Sequence, residues 1–188
     1  ALYRQVRGQS VLGNHESKLL SAHRARLGGA KRPRVSALHY PLLQRLGDSD
    51  WASLEALPLS LPVPDHGLCI VHAGVDPQRG LSAGDEWTLT QIRSIDPRGK
   101  PSPRHDYEPW ASRYTGDPHI VFGHNSRLGL QLAPRATGLD TGCVYGGRLT
   151  ALVLGAGESV PVDPDERRAR LRSVPAARAY HVNRDSPS

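Results

Sequence analysis

The sequence predicts an α/β fold, because short apolar runs of strand length alternate with stretches of helical spacing. Residues 68–75 are almost continuously apolar, which indicates a strand covered on both faces. Residues 119–122 form a second run of β-branched and aromatic side chains, and residues 16–27 place leucine and alanine at helical spacing. Polar residues beside glycines close the strands, and strand ends are where open α/β sheets gather their ligands.

The first element is predicted as a strand over residues 5–12 that runs into Gly13-Asn14-His15-Glu16. An asparagine offers a carbonyl oxygen to a divalent cation, and an adjacent histidine can stay off the metal and carry a proton. The alternative is that Gly13-Asn14 is a turn and that His15-Glu16 only opens the following helix, which Gly28-Gly29 closes.

The remaining elements follow from the same patterns. Helices are predicted over residues 36–46 and 48–57, after which prolines break the chain into extended pieces. Further helices are expected at 86–95, 107–114 and 163–172, and further strands at 128–132, 137–139 and 149–154. Residues 1–155 are predicted as one domain, and residues 156–188 as a Pro/Arg/Ser-rich tail that is partly disordered.

The formal charge of +6 suits a polyanionic substrate and would also suit nucleic acid. Nucleic acid is disfavoured as a partner, because the arginines lie in scattered clusters typical of solvated faces and the sequence holds no aromatic stacking motif. No apolar run approaches the ~18 residues of a membrane span and no signal peptide is visible, so we expect no membrane partner and a cytoplasmic location. Cys69 and Cys143 lack metal-knuckle spacing and are predicted to be reduced.

Three predicted strand ends each deliver a candidate metal ligand: Asn14, His72 and His124. A single histidine at such a position is more often a turn residue or a structural residue. Three ends with the same arrangement favour a shared site, in which two imidazoles and an amide oxygen would form part of a shell for Mn²⁺, Fe²⁺ or Zn²⁺. Such a shell still needs an anionic ligand.

Four blocks of the sequence carry a family resemblance. They are Gly13-Asn14-His15-Glu16, His72-Ala73-Gly74, Gly123-His124, and Gly138-Leu139-Asp140-Thr141-Gly142-Cys143 followed by Gly146-Gly147-Arg148-Leu149-Thr150-Ala151-Leu152. In this order the blocks resemble the calcineurin-like metallophosphoesterases of the phosphoprotein phosphatase superfamily, most of all the bacterial symmetrical diadenosine tetraphosphatases and their relatives. The resemblance implies an α/β sandwich of two mixed β-sheets flanked by helices, N-terminally incomplete, with a metal centre at the strand ends.

The resemblance also implies roles for individual residues. Asn14, His72 and His124 would bind the second of two divalent metal ions, which could be Mn, Fe, Zn or Co. His15 would be the general acid that protonates the leaving oxygen, and Arg93 would clamp a phosphate during catalysis. A hydroxide that bridges the two metals would attack the phosphorus in line.

Tyr145 and Arg148 lie in the glycine-rich loop of the last block and are candidates for substrate contact, with a turn residue and a surface arginine as the open alternatives. The family's Asp-x-His-Gly and Gly-Asp-x-x-Asp-Arg-Gly blocks, which supply the ligands of the first metal, are absent. We therefore expect only the second-metal ligands in this chain, and poor metal binding and catalysis from these residues alone. The chain also has no methionine, which favours a truncation over a naturally shortened homologue.

The function expected from the resemblance is metal-dependent hydrolysis of a phosphoester or phosphoanhydride. Dinucleoside polyphosphates such as diadenosine tetraphosphate are the first substrate class to consider. Two alternatives stay open: a protein Ser/Thr phosphatase, and a pseudophosphatase that binds a nucleotide or a partner without turnover. The sequence does not indicate an oligomeric state.

Overall fold

The computed structural model describes residues 8–29, 35–36 and 39–181. In chain order, its helices and strands are α1 (Asn14–Leu27), α2 (Tyr40–Arg45), α3 (Asp48–Glu55), β1 (Ser60–Val63), β2 (Leu68–Val71), α4 (Glu86–Gln91), β3 (Ser94–Ile95), β4 (Pro101–Ser102), β5 (Glu108–Pro109), α5 (Trp110–Arg113), β6 (His119–Phe122), β7 (Gln131–Ala133), β8 (Ala136–Gly138), β9 (Arg148–Leu152), α6 (Pro164–Ala169) and β10 (Leu171–Pro175). Short 3₁₀ turns occupy Pro64–His66, Leu81–Ala83 and Cys143–Tyr145.

A five-stranded mixed sheet in the order β1-β2-β6-β8-β7 forms the centre of the fold. The strands β2, β6 and β8 are parallel, whereas β1 and β7 pair antiparallel with β2 and β8. All four residues of β6 are buried, as expected for the central strand of a covered sheet. Because parallel strands end at the same edge, the residues that follow β2, β6 and β8 meet there.

The two faces of this sheet pack against different layers. On one face, Val71 of β2 and Ile120 and Phe122 of β6 form an apolar cluster with Trp110 of α5. On the other face, Val121 belongs to a cluster that includes Leu152 of β9, and β9 pairs antiparallel with β10. The predicted α/β class with mixed sheets is confirmed, and in the part of the chain that the structure describes the two-stranded antiparallel sheet β9-β10 packs on this second face.

The chain before α1 differs from the prediction. Residues 8–13 form no strand, so the strand predicted over 5–12 is wrong for its described part, and residues 5–7 lie outside the described residues. The amide of Leu12 donates to the carbonyl of Pro58 over 2.8 Å. Pro58 has no amide hydrogen with which to return this bond, so the two residues cannot form the reciprocal pair of an antiparallel ladder.

Helix α1 begins at Asn14, two residues earlier than predicted. Asn14 and His15 therefore lie in the first turn of a helix and not at a strand end, which corrects the expected position of this ligand. The helix buries Leu19 and Leu20, which cluster with Trp51 of α3. This apolar contact fixes where the N-terminus of α1 points.

Several other predicted elements are shorter or are divided in the structure. The helix expected over 36–46 begins at Tyr40, with residues 37–38 outside the described residues, and the helix expected over 86–95 ends at Gln91. Non-local pairing explains the second case, because the chain enters the small sheet β4-β3-β5 after α4. The strand β10 was not predicted. It lies in the predicted tail and pairs with β9 of the predicted domain. The division between domain and tail at residue 155 stays a prediction.

Two simpler expectations can be compared directly with the structure. Cys69 and Cys143 are free thiols, as predicted. Within the described ranges, no helix is both long and apolar enough to cross a membrane.

Candidate metal and phosphate site

A cleft of about 380 Å³ lies at the sheet edge where β2, β6 and β8 end. His72 follows β2 directly, His124 follows β6 after one glycine, and Asp140 follows β8 after one leucine. The N-terminus of α1 adds Asn14 and His15 to the same cleft. The remaining described lining residues are Arg93, His105, Ser126, Arg127, Val144 and Tyr145.

The three predicted ligands converge on one point of this cleft. His72 Nε2 lies 3.0 Å from Asn14 Oδ1 and 3.2 Å from His124 Nδ1. Two ligand atoms that each lie ~2.1 Å from an ion, at right angles to one another, are about 3 Å apart. The spacing of the three donor atoms therefore fits adjacent positions in the shell of one divalent ion.

The backbone holds the two imidazoles together. The amide of Gly123 donates to the carbonyl of His72 over 2.9 Å, which fixes the end of β2 against the end of β6. His124 has a φ of 68°, in the left-handed region that residues with a side chain rarely adopt. Such strain persists only where the surrounding structure over-determines it, and it clusters at functional sites.

Burial favours the neutral form of both imidazoles. It lowers the pKa of His124 to about 3, with the positive charge of Arg93 as the next cause. Burial also lowers the pKa of His72, and it outweighs the opposing effect of the Glu16 carboxylate. A neutral imidazole presents the lone pair that a metal ligand requires.

The donor set fits one ion only in part. Two imidazoles and one amide oxygen are neutral, and the described ranges contain no cluster of three or more His, Cys, Asp or Glu residues that could hold a metal ion. Asp140 is the carboxylate in the cleft lining, and its Oδ1 accepts a hydrogen bond from the amide of Gly142 over 3.1 Å. The residues present thus match part of a metal shell that water or phosphate oxygens would complete.

His15 is held by a second histidine that the sequence analysis did not identify. Its Nδ1 lies 2.7 Å from Nε2 of the buried His39, whose Nδ1 lies 2.9 Å from Ser36 Oγ. Burial lowers the pKa of His39, and the neighbouring His15 lowers it further. With Nδ1 of His15 engaged in this chain of contacts, Nε2 is the ring nitrogen left for the cleft.

Arg93 supplies a cation to the cleft. Its Nη1 donates to the carbonyl of Pro103 over 3.1 Å, while its buried Nε has no partner among the described residues. Burial lowers the pKa of Arg93, against the opposing influence of Tyr145 and Asp140. A partly buried guanidinium with an unpaired N–H group is suited to an anionic ligand.

The two candidate substrate contacts in the glycine-rich loop differ in position. Tyr145 lines the cleft, on a loop whose Val144 carbonyl accepts hydrogen bonds from the amides of Tyr180 and His181 at 2.8 and 3.0 Å. The structure does not bring Arg148 into the cleft lining. Its Nε and Nη2 donate to the hydroxyl and carbonyl of Ser173 at 2.8 and 2.9 Å, so the guanidinium binds β10.

Four polar residues of the cleft lining were not nominated from the sequence: His105, Ser126, Arg127 and Asp140. Asp140 belongs to a recognised block, and its place after a parallel strand was an available signal. His105 lies in a loop after β4 and Arg127 in a turn after β6, with no motif to mark either residue. Their convergence depends on the folded chain and not on local sequence.

Curated relatives align with about four fifths of this chain. No family model matches it. An asymmetrical bis(5′-nucleosyl)-tetraphosphatase, PrpE, from Oceanobacillus iheyensis is 30% identical over 156 residues, which cover 80% of this chain and 56% of that protein. A symmetrical bis(5′-nucleosyl)-tetraphosphatase from Janthinobacterium sp. (strain Marseille) is 31% identical over 221 residues, which cover 82% of this chain and 76% of that protein. The chain thus spans little more than half the length of the first relative.

A solved structure gives the same result at the level of the fold. A chain described as a candidate diadenosine tetraphosphatase superposes with a TM-score of 0.73 at 34% sequence identity, over 93% of this chain and 71% of that chain. The sequence blocks, the mixed sheet and these relatives agree. The chain therefore belongs to the bis(5′-nucleosyl)-tetraphosphatase family of calcineurin-like phosphoesterases.

Proposed function

We propose that the protein hydrolyses a phosphoanhydride bond of dinucleoside polyphosphates such as diadenosine tetraphosphate, with a divalent metal ion at the sheet edge. The observation that carries the proposal is the convergence of Asn14 Oδ1, His72 Nε2 and His124 Nδ1 within 3.0–3.2 Å contacts, in a cleft that also holds His15 and Arg93. The names of the relatives support the substrate class.

The metal would be held by the three converging donor atoms. Nitrogen and amide oxygen donors suit Mn²⁺, and Fe²⁺, Zn²⁺ and Co²⁺ are compatible with the same set. When bound, the ion supplies Lewis-acid stabilisation of charge on a phosphoryl oxygen. We propose that a dinuclear centre needs ligands beyond these three residues, because the sequence contains neither the Asp-x-His-Gly nor the Gly-Asp-x-x-Asp-Arg-Gly block.

The chain's own residues would orient the substrate and move a proton. Arg93 would donate hydrogen bonds to oxygens of the reacting phosphate and hold it in one orientation. His15 would transfer a proton from Nε2 to the oxygen of the leaving phosphate, while His39 fixes its ring. Tyr145 would form one wall of the substrate cleft. The free thiols and a nucleotide substrate are consistent with a cytoplasmic location, which we also propose.

The experiment is an assay of diadenosine tetraphosphate and a phosphopeptide at equal enzyme concentration with Mn²⁺, with the nucleotides separated by chromatography. Central cleavage gives two ADP, and off-centre cleavage gives ATP and AMP. The chain should be compared with the same chain preceded by a segment carrying the two missing blocks. Turnover of the peptide alone would replace the proposed substrate with that of a protein phosphatase.

Binding without turnover is a second candidate, favoured by the absence of the first-metal blocks. In that case both forms of the chain would bind Mn²⁺ and nucleotide, and neither would release product. Release of product by the chain as given, without the added segment, would exclude this candidate.

A further inference from the structure

We propose that Arg127 and His105 form a second phosphate subsite beside Arg93, which holds the phosphates beyond the one that reacts. The inference rests on the proposed function, since it assigns part of the same cleft to the rest of a polyphosphate chain. Both residues line the cleft that contains the three metal-ligand candidates. Neither residue belongs to a block that carries the family resemblance.

The shape of the surface supports a longer ligand than one phosphate. A second cavity of about 300 Å³ is lined by Arg104, His105, Asp106 and Arg127. Because His105 and Arg127 line both cavities, the cleft continues past the metal-ligand candidates along these two side chains. A polyphosphate that places one phosphate at the metal would extend its next phosphates along this surface.

The two central arginines differ from the outer arginine in their pairing, although the Asp140 carboxylate of the same cleft acts on Arg93. In the part of the chain that the structure describes, Arg93 and Arg127 form no ion pair, whereas Arg104 binds Asp106 through two contacts of 2.9 and 2.6 Å. Asp106 thus neutralises the outer arginine and leaves the inner pair for an external anion. A polyphosphate is a ligand with the charge density to satisfy both.

His105 lines the cleft together with Arg93 and Arg127, and one of its ring nitrogens has no hydrogen-bond partner among the described residues. Its pKa is lowered by burial and next by the positive charges of Arg93 and Arg127, while a hydrogen bond with the Asn125 side chain opposes this change. Its Nδ1 is buried without a hydrogen-bond partner among the described residues. A buried polar atom without a partner is unusual in a folded protein and is accounted for here by an external ligand.

Both residues are placed by firmly held backbone. Arg127 is three residues after His124, in a turn closed by the Leu128 amide and the Asn125 carbonyl at 3.1 Å. The loop that carries His105 is fixed by Ser94, whose hydroxyl donates to the Arg104 carbonyl over 2.8 Å. The subsite is therefore preorganised, and an anion would not have to order these loops on binding.

The test measures binding of inorganic tripolyphosphate and orthophosphate to the metal-free full chain by titration calorimetry at fixed ionic strength. We expect tripolyphosphate to bind more tightly than orthophosphate, and Arg127→Gln and His105→Gln each to weaken tripolyphosphate binding at least tenfold. Both variants should change orthophosphate binding less than twofold. The control Arg168→Gln, which removes the same charge from exposed α6, should leave both affinities unchanged. Arg127→Lys should recover part of the affinity.

Equal affinity of the wild-type chain for the two anions would overturn the proposal, as would Arg127→Gln and His105→Gln variants that bind tripolyphosphate as the wild type does. The result is independent of turnover. If the subsite binds but diadenosine tetraphosphate is not hydrolysed, the proposed function fails and the subsite stands. If hydrolysis proceeds and the variants match the wild type in binding, the subsite fails and the function stands. Circular dichroism of each variant shows that it is folded.

Discussion

At the scale of single residues, His124 is the most direct test of the metal site. Its Nδ1 is one of three converging donor atoms, and we predict that His124→Ala lowers Mn²⁺ affinity at least tenfold in a calorimetric titration. His23→Gln is the matched control, because it removes an imidazole from α1 that stacks on Trp51 outside the cleft. Equal affinity of the His124 variant and the wild type would exclude a metal at this position.

A second residue-scale prediction concerns His119, which is 1% exposed and lies 2.9 Å from Thr137 Oγ1. Burial, and next the positive charge of Arg167, lower its pKa from 6.5 to about 4. Between these values the unfolded chain binds the proton more readily, so stability falls as pH drops from about 6.5 to about 4. The loss from this residue is roughly 3 kcal/mol.

Urea denaturation at pH 7 and pH 4 tests this effect. The wild type should lose roughly 3 kcal/mol more than His119→Gln over this range, because the amide does not titrate. Other buried histidines are the same in both proteins and cancel in the comparison. Parallel losses in the two proteins would show that His119 does not carry the dependence.

The residues of the site were predictable where a sequence motif marks them and not elsewhere. Asn14, His72 and His124 were nominated together, and their donor atoms lie within 3.2 Å of His72 Nε2. His39 contacts His15 from a helix N-cap, and Arg127 reaches the cleft from a turn, and no motif marks either residue. The contacts of these two residues depend on chain segments that meet only in the fold.

At the scale of elements, the segment His72-Ala73-Gly74 shows how a ligand is tied to the core. The Ala73 carbonyl accepts a hydrogen bond from Trp110 Nε1 over 3.1 Å, and the Ala73 amide donates to the carbonyl of Leu89 over 2.8 Å. A Cβ at position 74 would overlap the Trp110 indole. Glycine is required here because the ring lies against the backbone.

We predict that Gly74→Ala lowers the free energy of unfolding by at least ~2 kcal/mol, since the indole must move out of a packed core. Gly67→Ala is the matched control, because Gly67 has a φ of 65° and open space around its Cβ position. That change should cost only ~1 kcal/mol from backbone strain. Equal costs, measured by urea denaturation, would mean that the Trp110 contact is not limiting.

Helices and strands were predicted best where the pattern of apolar side chains along the sequence determines them. The fully buried β6 was identified from its run of apolar residues, whereas β10 was not, because most of its residues are exposed. The pairing of β10 with β9, such as Arg172 opposite Ala151, makes it a strand. The strand predicted before α1 is the opposite case. Its apolar residues favour a strand, but Leu12 bonds to Pro58, which has no amide hydrogen to donate in return.

At the scale of the whole molecule, Arg167 joins the C-terminal helix to the central sheet. It is fully buried, and its guanidinium donates to the carbonyls of Pro134, Pro161 and Val162 at 3.3, 2.9 and 3.1 Å and to that of Ala133. These groups come from the β7-β8 turn and from the chain before α6. One side chain therefore satisfies backbone acceptors from both segments.

We predict that Arg167→Met lowers the free energy of unfolding by about 3 kcal/mol or more, because several buried carbonyls lose their donor. Arg168→Met, on the exposed side of α6, should change it by less than ~0.5 kcal/mol. Chemical denaturation of the two variants gives the comparison. A similar small effect for both would show that α6 does not depend on the buried guanidinium.

Folding stability and metal binding favour different residues at position 124, because the backbone there is left-handed. Glycine adopts this conformation without the cost of ~1–2 kcal/mol that a side chain incurs, so His124→Gly should give a more stable metal-free protein than His124→Ala. Selection for folding alone would thus favour glycine, while selection for a metal ligand retains the imidazole. In a descendant that had ceased to bind metal, position 124 is where we expect histidine to be replaced first.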